Sequence, residues 1–220
     1  MIDYAQARRT MVDCQIRPAD VTDRALLAAL LDVPRERFLP PHLAALAYLD
    51  LDLPLAGTPH NPTRRLLKPQ VLAKLLQAAE ITEADRVLDV GCATGYSSAI
   101  LARLAKSVIA LEEDAELLRQ ARPQVTKFGN VELVQGPLVA GWPKRAPYDV
   151  IVLNGATEIT PVGLLEQLAD GGRFVGVLGR GPATKAMLFR RVSGALSDWP
   201  IFDAAAPLLP GFAAQPAFVF

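Results

Sequence analysis

From Arg86 onward, short β-branched apolar runs alternate with stretches in which apolar residues recur every three or four positions. An unbroken apolar run fits a strand buried on both faces, and the 3.6-residue period fits a helix laid across it. The alternation therefore predicts an α/β fold with a doubly wound, mostly parallel sheet covered on both sides. Strands are expected at 86–90, 107–111, 131–134, 148–153 and 172–178, and helices at about 96–105, 114–122 and 161–169. Thr160 is the expected N-cap of the last helix, with Pro161 at its first position. Pro123 is expected to end the helix before it, since proline costs about 3 kcal/mol in a helix interior. Beyond Gly179, residues 187–192 and 217–220 are candidates for an antiparallel pair at the sheet edge.

The first 85 residues follow a different rhythm. Leu26, Leu27, Leu30, Leu31 and Val33 lie at helical spacing within 22–33, with Asp20 or Thr22 as cap, and 69–79 repeats the pattern behind Pro69. Between them, 53–69 is a proline-rich loop, and loops longer than about 12 residues are usually functional or disordered. Residues 1–80 are accordingly expected to form a helical cap and substrate loop over a ligand-binding α/β domain at 81–220. The apolar run Pro207-Leu-Leu-Pro-Gly-Phe212 is expected to cover either the pocket or a neighbour.

Composition narrows the function classes. Lys plus Arg equals Asp plus Glu, 23 each, so no bulk charge points to nucleic acid or to a membrane surface. Cys14 and Cys92 have no partner at disulfide or zinc spacing, and no run of about 18 apolar residues occurs. A metal-free cytoplasmic protein is the expectation. His42 and His60 are the only histidines, and a surface position is the expected one for both.

The chemistry is carried by Arg86-Val-Leu-Asp-Val-Gly-Cys-Ala-Thr-Gly-Tyr96. A strand that ends in Asp89 and Gly91-x-x-x-Gly95 opens a helix through a turn that lets a ligand approach the backbone closely. Glu112, closing the next strand, stands where an acid binds a ribose diol. The dinucleotide pattern G-x-G-x-x-G is absent, because Ala93 and Tyr96 hold its second and third glycine positions. A nucleoside attached to an amino acid, S-adenosylmethionine, suits the turn better. Asp89, Gly91, Cys92, Ala93, Thr94 and Gly95 are assigned to its methionine portion, with Thr94 or the helix-start amides taking the carboxylate. Glu112 is assigned to the ribose, and Asn154, after the fourth strand, to the pocket wall.

The chain resembles the protein-L-isoaspartate O-methyltransferases, a family of class I methyltransferases, over roughly residues 5 to 180. The resemblance rests on Met11-Val-Asp-Cys-Gln-Ile16, Val33-Pro-Arg-Glu-Arg-Phe-Leu-Pro40, Ala47-Tyr-Leu-Asp-Leu-Asp-Leu-Pro54, the glycine turn, Pro147-Tyr-Asp-Val-Ile151 and Gly171-Gly172. It implies S-adenosylmethionine as methyl donor and esterification of isoaspartyl carboxylates for protein repair. The chain departs from the family in two places. The family's Thr-Ile-Ser stretch, whose serine is expected to orient the substrate carboxylate, is replaced by Arg65, Leu66 and Leu67. Thr58, Asn61 or Thr63 are candidates to restore that hydroxyl, and Arg64, Arg65 and Lys68 are candidates to pair with the substrate carboxylate instead. The family's Gly-Asp, whose Asp accepts the adenine amino group, is here Gly136-Pro137, a loss of about 1 kcal/mol in cofactor binding. The substrate is thus a peptide or protein carboxylate or a small acid; the competing readings are a cofactor-binding protein without transfer and a methyltransferase for another small-molecule acceptor.

Overall fold

The computed structural model describes residues 2–55 and 64–215. Asp3 accepts from the Gln6 amide and opens α1 (Tyr4–Met11), which runs on through a π-helical turn, Val12–Ile16. The next helix, α2 (Arg24–Asp32), is capped by Asp23, whose carboxylate accepts from Leu26 N at 2.8 Å. Neither expected cap serves: Asp20 sits in the left-handed region at φ 64°, closing the preceding turn, and the Thr22 amide is taken by Gln77 Oε1. A two-residue ladder, β1 (Leu53–Pro54) with β2 (Arg65–Leu66), brackets the middle of the loop, which is outside the described residues along with Thr58, His60, Asn61 and Thr63. Pro69 then starts α3 (Pro69–Ala78), and its first amides are met from a distance, Lys68 N by Asp52 and Gln70 N by Asp50. Acidic side chains at a helix start satisfy orphan donors and complement the dipole.

The sheet follows: β3 (Arg86–Val90), α4 (Tyr96–Leu101), β4 (Ser107–Glu112), α5 (Ala115–Val125), β5 (Val131–Gln135), β6 (Tyr148–Thr157), α6 (Val162–Leu165), β7 (Leu168–Leu178), β8 (Lys185–Val192) and β9 (Ala195–Asp203). Its order is β5-β4-β3-β6-β7-β8-β9, parallel from β5 to β7 and antiparallel at β8 and β9. The chain moves outward from β3 to β5 and then returns to place β6 on the other side of β3. That reversal opens a crevice beyond the carboxyl ends of β3 and β6, where ligands of such sheets bind.

Alternation along the buried strands divides the core. Val87, Val108, Val150, Val152, Val175 and Val177 face the helical N-terminal segment in one continuous cluster with Leu26, Leu30, Phe38 and Leu72. Leu88, Ile109, Ile151, Leu153 and Phe174 face the other way, against Leu164, Leu165, Leu209 and Phe212. The C-terminal stretch is thus part of the core on the second face.

Three local expectations are corrected. The second sheet helix does not stop at Pro123: α5 continues to Val125, with Pro123 exposed near its last turn. Buried Val125 packs under the turn, its Cγ1 2.6 Å from where a Cβ on Gly95 would lie, and this anchor carries the helix past the missing N–H. Thr160 is not an N-cap; α6 has four residues, its cap is Pro161 and no side chain bonds it. The edge partner of β8 is β9, joined through Ser193-Gly194, both at positive φ, whereas 217–220 falls outside the described residues. Among the described residues, no helix is long and apolar enough to cross a membrane and no cluster of three metal-ligating side chains occurs.

Candidate functional site

The turn after β3 and the end of β4 come together as expected. Gly91 and Gly95 have φ of 76° and 91°, left-handed values that glycine adopts without strain. Gly91 N and Cys92 N both donate to the Leu111 carbonyl, which fixes the turn beside Glu112. The Glu112 carboxylate is fully buried and accepts from Ala93 N at 2.9 Å, Glu113 N at 3.0 Å and Asp114 N at 3.3 Å. Gly136 follows β5, its N–H donating to the Glu112 carbonyl at 3.2 Å and its Cα face turned to the Trp142 ring.

Asp89 is also fully buried. It accepts from Ser97 Oγ at 2.8 Å, Ser98 Oγ at 2.5 Å and the Asn154 side-chain amide, and Asn154 bonds Ser97 Oγ as well. Asn154 therefore lies at the crevice, as expected, but its amide is tied to Asp89. Burial pushes the Asp89 carboxyl up to about 6, against the opposing pull of those donors. The Cys92 thiol is pushed well up by the same cause.

A carboxyl whose pKa is higher in the folded chain adds stability that is complete below about pH 4 and is lost as pH rises through about 6. For Asp89 that amounts to about 3 kcal/mol, two pKa units at 1.36 kcal/mol each. Asp89→Asn cannot titrate. Urea unfolding of both proteins should show the wild type losing about 3 kcal/mol relative to the variant between pH 4 and 7; a flat difference would mean that Asp89 is ionised throughout.

The N-terminal segment closes over the turn through Val33-Pro-Arg-Glu-Arg-Phe-Leu-Pro40. Thr94 Oγ1 donates to the Phe38 carbonyl at 2.7 Å, which ties the turn to the N-terminal segment. Phe38 and Tyr96 meet edge to face at 5.4 Å, and fully buried Arg35 bonds the Ala47 and Leu67 carbonyls. Arg65 and Leu67 border the turn together with Gly91, Cys92, Ala93, Ser97 and Asn154. Arg65 is exposed and donates to the Asp52 carbonyl; Lys68 is half-buried and does not line that cavity. His42 is exposed.

Sequence reasoning missed where Arg64 points and left open whether 207–212 covers the pocket or a neighbour. Arg64, in the basic cluster, is 2% exposed in its side chain and pairs with Glu112, with Nη2 also donating to the Gly91 carbonyl at 3.1 Å. Residues 204–212 run along the end of β6 and place Leu209 on Gly91 and Gly155. Among the described residues, the cavity bordered by Arg65, Leu67, Gly91 and Asn154 is about 10 Å³, room for one water at most, whereas small-molecule sites occupy roughly 300–1,000 Å³. As a donor set, the turn and the buried acid fit a nucleoside with an amino-acid tail; Leu209 and Arg64 lie against the glycine face they would present. Neighbouring charge could have flagged Arg64, but no local spacing places it on Glu112.

The family model for protein-L-isoaspartate(D-aspartate) O-methyltransferase matches residues 6–197. Protein-L-isoaspartate O-methyltransferase 2 of Pelobacter propionicus is 38% identical over 170 residues, 76% of this chain and 73% of the relative. The Koribacter versatilis protein-L-isoaspartate O-methyltransferase is 34% identical over 217 residues, 97% of this chain and 96% of its own. Among solved structures, a protein-L-isoaspartate O-methyltransferase superposes with a TM-score of 0.79 at 24% identity, covering 93% of this chain and 66% of that one. A Plasmodium falciparum protein assigned to the same activity, in complex with S-adenosyl-L-homocysteine, gives 0.77 at 16% identity, covering 95% and 99%. These two likenesses support the class I methyltransferase fold, and the sequence matches go further: the chain belongs to the protein-L-isoaspartate(D-aspartate) O-methyltransferase family.

Proposed function

We propose that this chain is an S-adenosylmethionine-dependent carboxyl methyltransferase that esterifies isoaspartyl residues of peptides and proteins, a repair activity. The observation that carries the reading is the family match across 6–197, which takes in the cap as well as the glycine turn and Glu112. When bound, the cofactor supplies a methyl group on a sulfonium, an electrophile for a carboxylate.

The chain's own residues have binding and orientation to perform. Asp89 and the 91–95 turn, Cys92 and Ala93 through their backbone, are proposed to seat the methionine portion, Glu112 the ribose, and Gly136 and Asn154 the remaining wall. With Leu67 lacking a hydroxyl, Arg65 is the proposed substrate contact, since it borders the same cavity as the turn; Lys68, next along the chain, is a second cation. An arginine can meet a carboxylate with two parallel hydrogen bonds. No general base is needed because the nucleophile is already an anion. Placement and exclusion of water supply the acceleration.

The test is transfer of a labelled methyl group to a matched pair of peptides, one isoaspartyl and one aspartyl. Base-labile label on the isoaspartyl peptide alone is expected. Label on neither peptide, with cofactor bound, would sink isoaspartyl specificity.

A further inference from the structure

We propose that Arg64 and the 204–212 strap form an internal latch that competes with S-adenosylmethionine for the crevice, so that the cofactor binds by displacing them. The inference rests on the methyltransferase reading and names how its site is controlled.

Two independent parts of the chain converge on one glycine. A Cβ built on Gly91 would lie 3.3 Å from Leu209 Cδ1 and 3.4 Å from Arg64 Nη2. The bare backbone face that a glycine offers to a ligand is therefore covered from one side by the strap and from the other by the guanidinium. On Gly155 a Cβ would lie 2.6 Å from Leu209 Cγ and 2.7 Å from the Pro207 carbonyl. Glu112 Oε2, the oxygen beside the turn, receives Arg64, which presents N–H donors where a ribose would present hydroxyl donors.

Both parts are attached in ways that can be undone. Arg64 precedes β2, and the β1–β2 ladder that carries it is only two residues long on each side. Its buried Nε has no partner among the described residues, so the guanidinium is incompletely satisfied in the closed state. Once Arg64 leaves, Glu112 keeps the amides of Ala93, Glu113 and Asp114 and stays poised to accept hydroxyls. The strap is held on the end of β6 and the residue after it by Ala156 N to the Pro207 carbonyl at 2.7 Å, Leu209 N to the Ala156 carbonyl at 3.0 Å and Glu158 N to the Phe212 carbonyl at 2.9 Å. Each of these amides reports on whether the strap is seated.

The apparent affinity of a ligand whose binding-competent state is rarely populated is reduced by that population. Weakening the latch raises it. The experiment titrates S-adenosyl-L-homocysteine, which carries no transferable methyl, into the wild type, Arg64→Gln and Leu209→Ala by calorimetry. It also follows hydrogen exchange of the Ala156, Glu158 and Leu209 amides in the wild type with and without the ligand. Both variants should bind about tenfold tighter or more, and the ligand should speed exchange at the three amides. Unchanged affinity in either folded variant, or amides that stay protected while the wild type binds, overturns the latch and leaves the methyltransferase reading standing. Failure of all three proteins to bind overturns both. Should a variant not fold, the exchange measurement on the wild type decides alone.

Discussion

Glu112→Ala is expected to lower the unfolding free energy by about 3–5 kcal/mol, the loss typical of a buried ion pair from which one partner is removed. Arg64 is 2% exposed and its partner 0%, so water cannot take the place of the carboxylate. The substitution strands a guanidinium whose Nε already has no partner among the described residues. It also frees the N–H groups of Ala93, Glu113 and Asp114, which now converge on the carboxylate. The opposite deletion should be milder. In Arg64→Gln the remaining charge is still held by those backbone donors, which stabilise an ionised carboxylate, and a glutamine amide can replace one N–H of the guanidinium. A double-mutant cycle in urea at neutral pH checks the argument, because neighbours in one hydrogen-bond network do not act additively. A loss below about 1 kcal/mol in Glu112→Ala, the scale of a solvated surface pair, would mean that this pair is hydrated and that Arg64 does not occupy the crevice.

That asymmetry bears on function as well as stability. Glu112 keeps three backbone donors when Arg64 is gone, so in the proposed latch the acid is the fixed part of the frame and the arginine the exchangeable part. The same reasoning applies to the strap. Leu209 and Phe212 are buried as deeply as core residues, yet the segment adds no full strand and meets β6 through a single bridge at Ala156.

The periodicity of the chain specifies the sheet well because β3, β4, β6 and the second half of β7 are mostly buried on both faces and carry mostly apolar residues. The glycine turn and Glu112 are equally legible, since left-handed backbone and a strand-end acid are local needs. What is illegible depends on distance. Pro123 reads as a stop until Val125 is found anchored beneath Gly95. Thr160 reads as a cap, but the helix it should begin has one turn and starts from Pro161. The edge strand β9 hides behind Pro200, which suits an edge strand even though it reads as a breaker, and here stands beside a register shift in the β8–β9 ladder. The Ser193-Gly194 pair between two apolar runs was an available hairpin signal. Arg64 and Leu209 lie on either side of the crevice, 27 residues before Gly91 in the first case, and no sequence pattern registers that they meet.

Arg35 yields the second large effect. Arg35→Ala is expected to cost about 3–5 kcal/mol, the range of large-to-small substitutions in a core. The residue lies at the start of the turn Arg35–Phe38 and is fully buried. Its Nε donates to the Ala47 carbonyl at 2.8 Å, its Nη2 to the Leu67 carbonyl at 2.9 Å, and its Cζ stands 4.8 Å from the centre of the Tyr96 ring. Burial pulls its pKa down from the ordinary guanidinium value, against the opposing pull of Tyr96, the sign of a charge kept from water. Truncation leaves two buried carbonyls without donors and a cavity against the ring. Arg35→Lys should recover only part of the loss, because a single ammonium cannot lie flat on an aromatic face while reaching two carbonyls in different directions. Urea midpoints of the three proteins test the ranking; a lysine variant as stable as the wild type would show that charge alone, and not the planar fork, holds this junction. Because the Leu67 carbonyl is one of its acceptors, Arg35 also sets the path of 65–68. The lysine variant should therefore raise KM for the isoaspartyl peptide more than it changes kcat, a split that loss of fold alone does not produce.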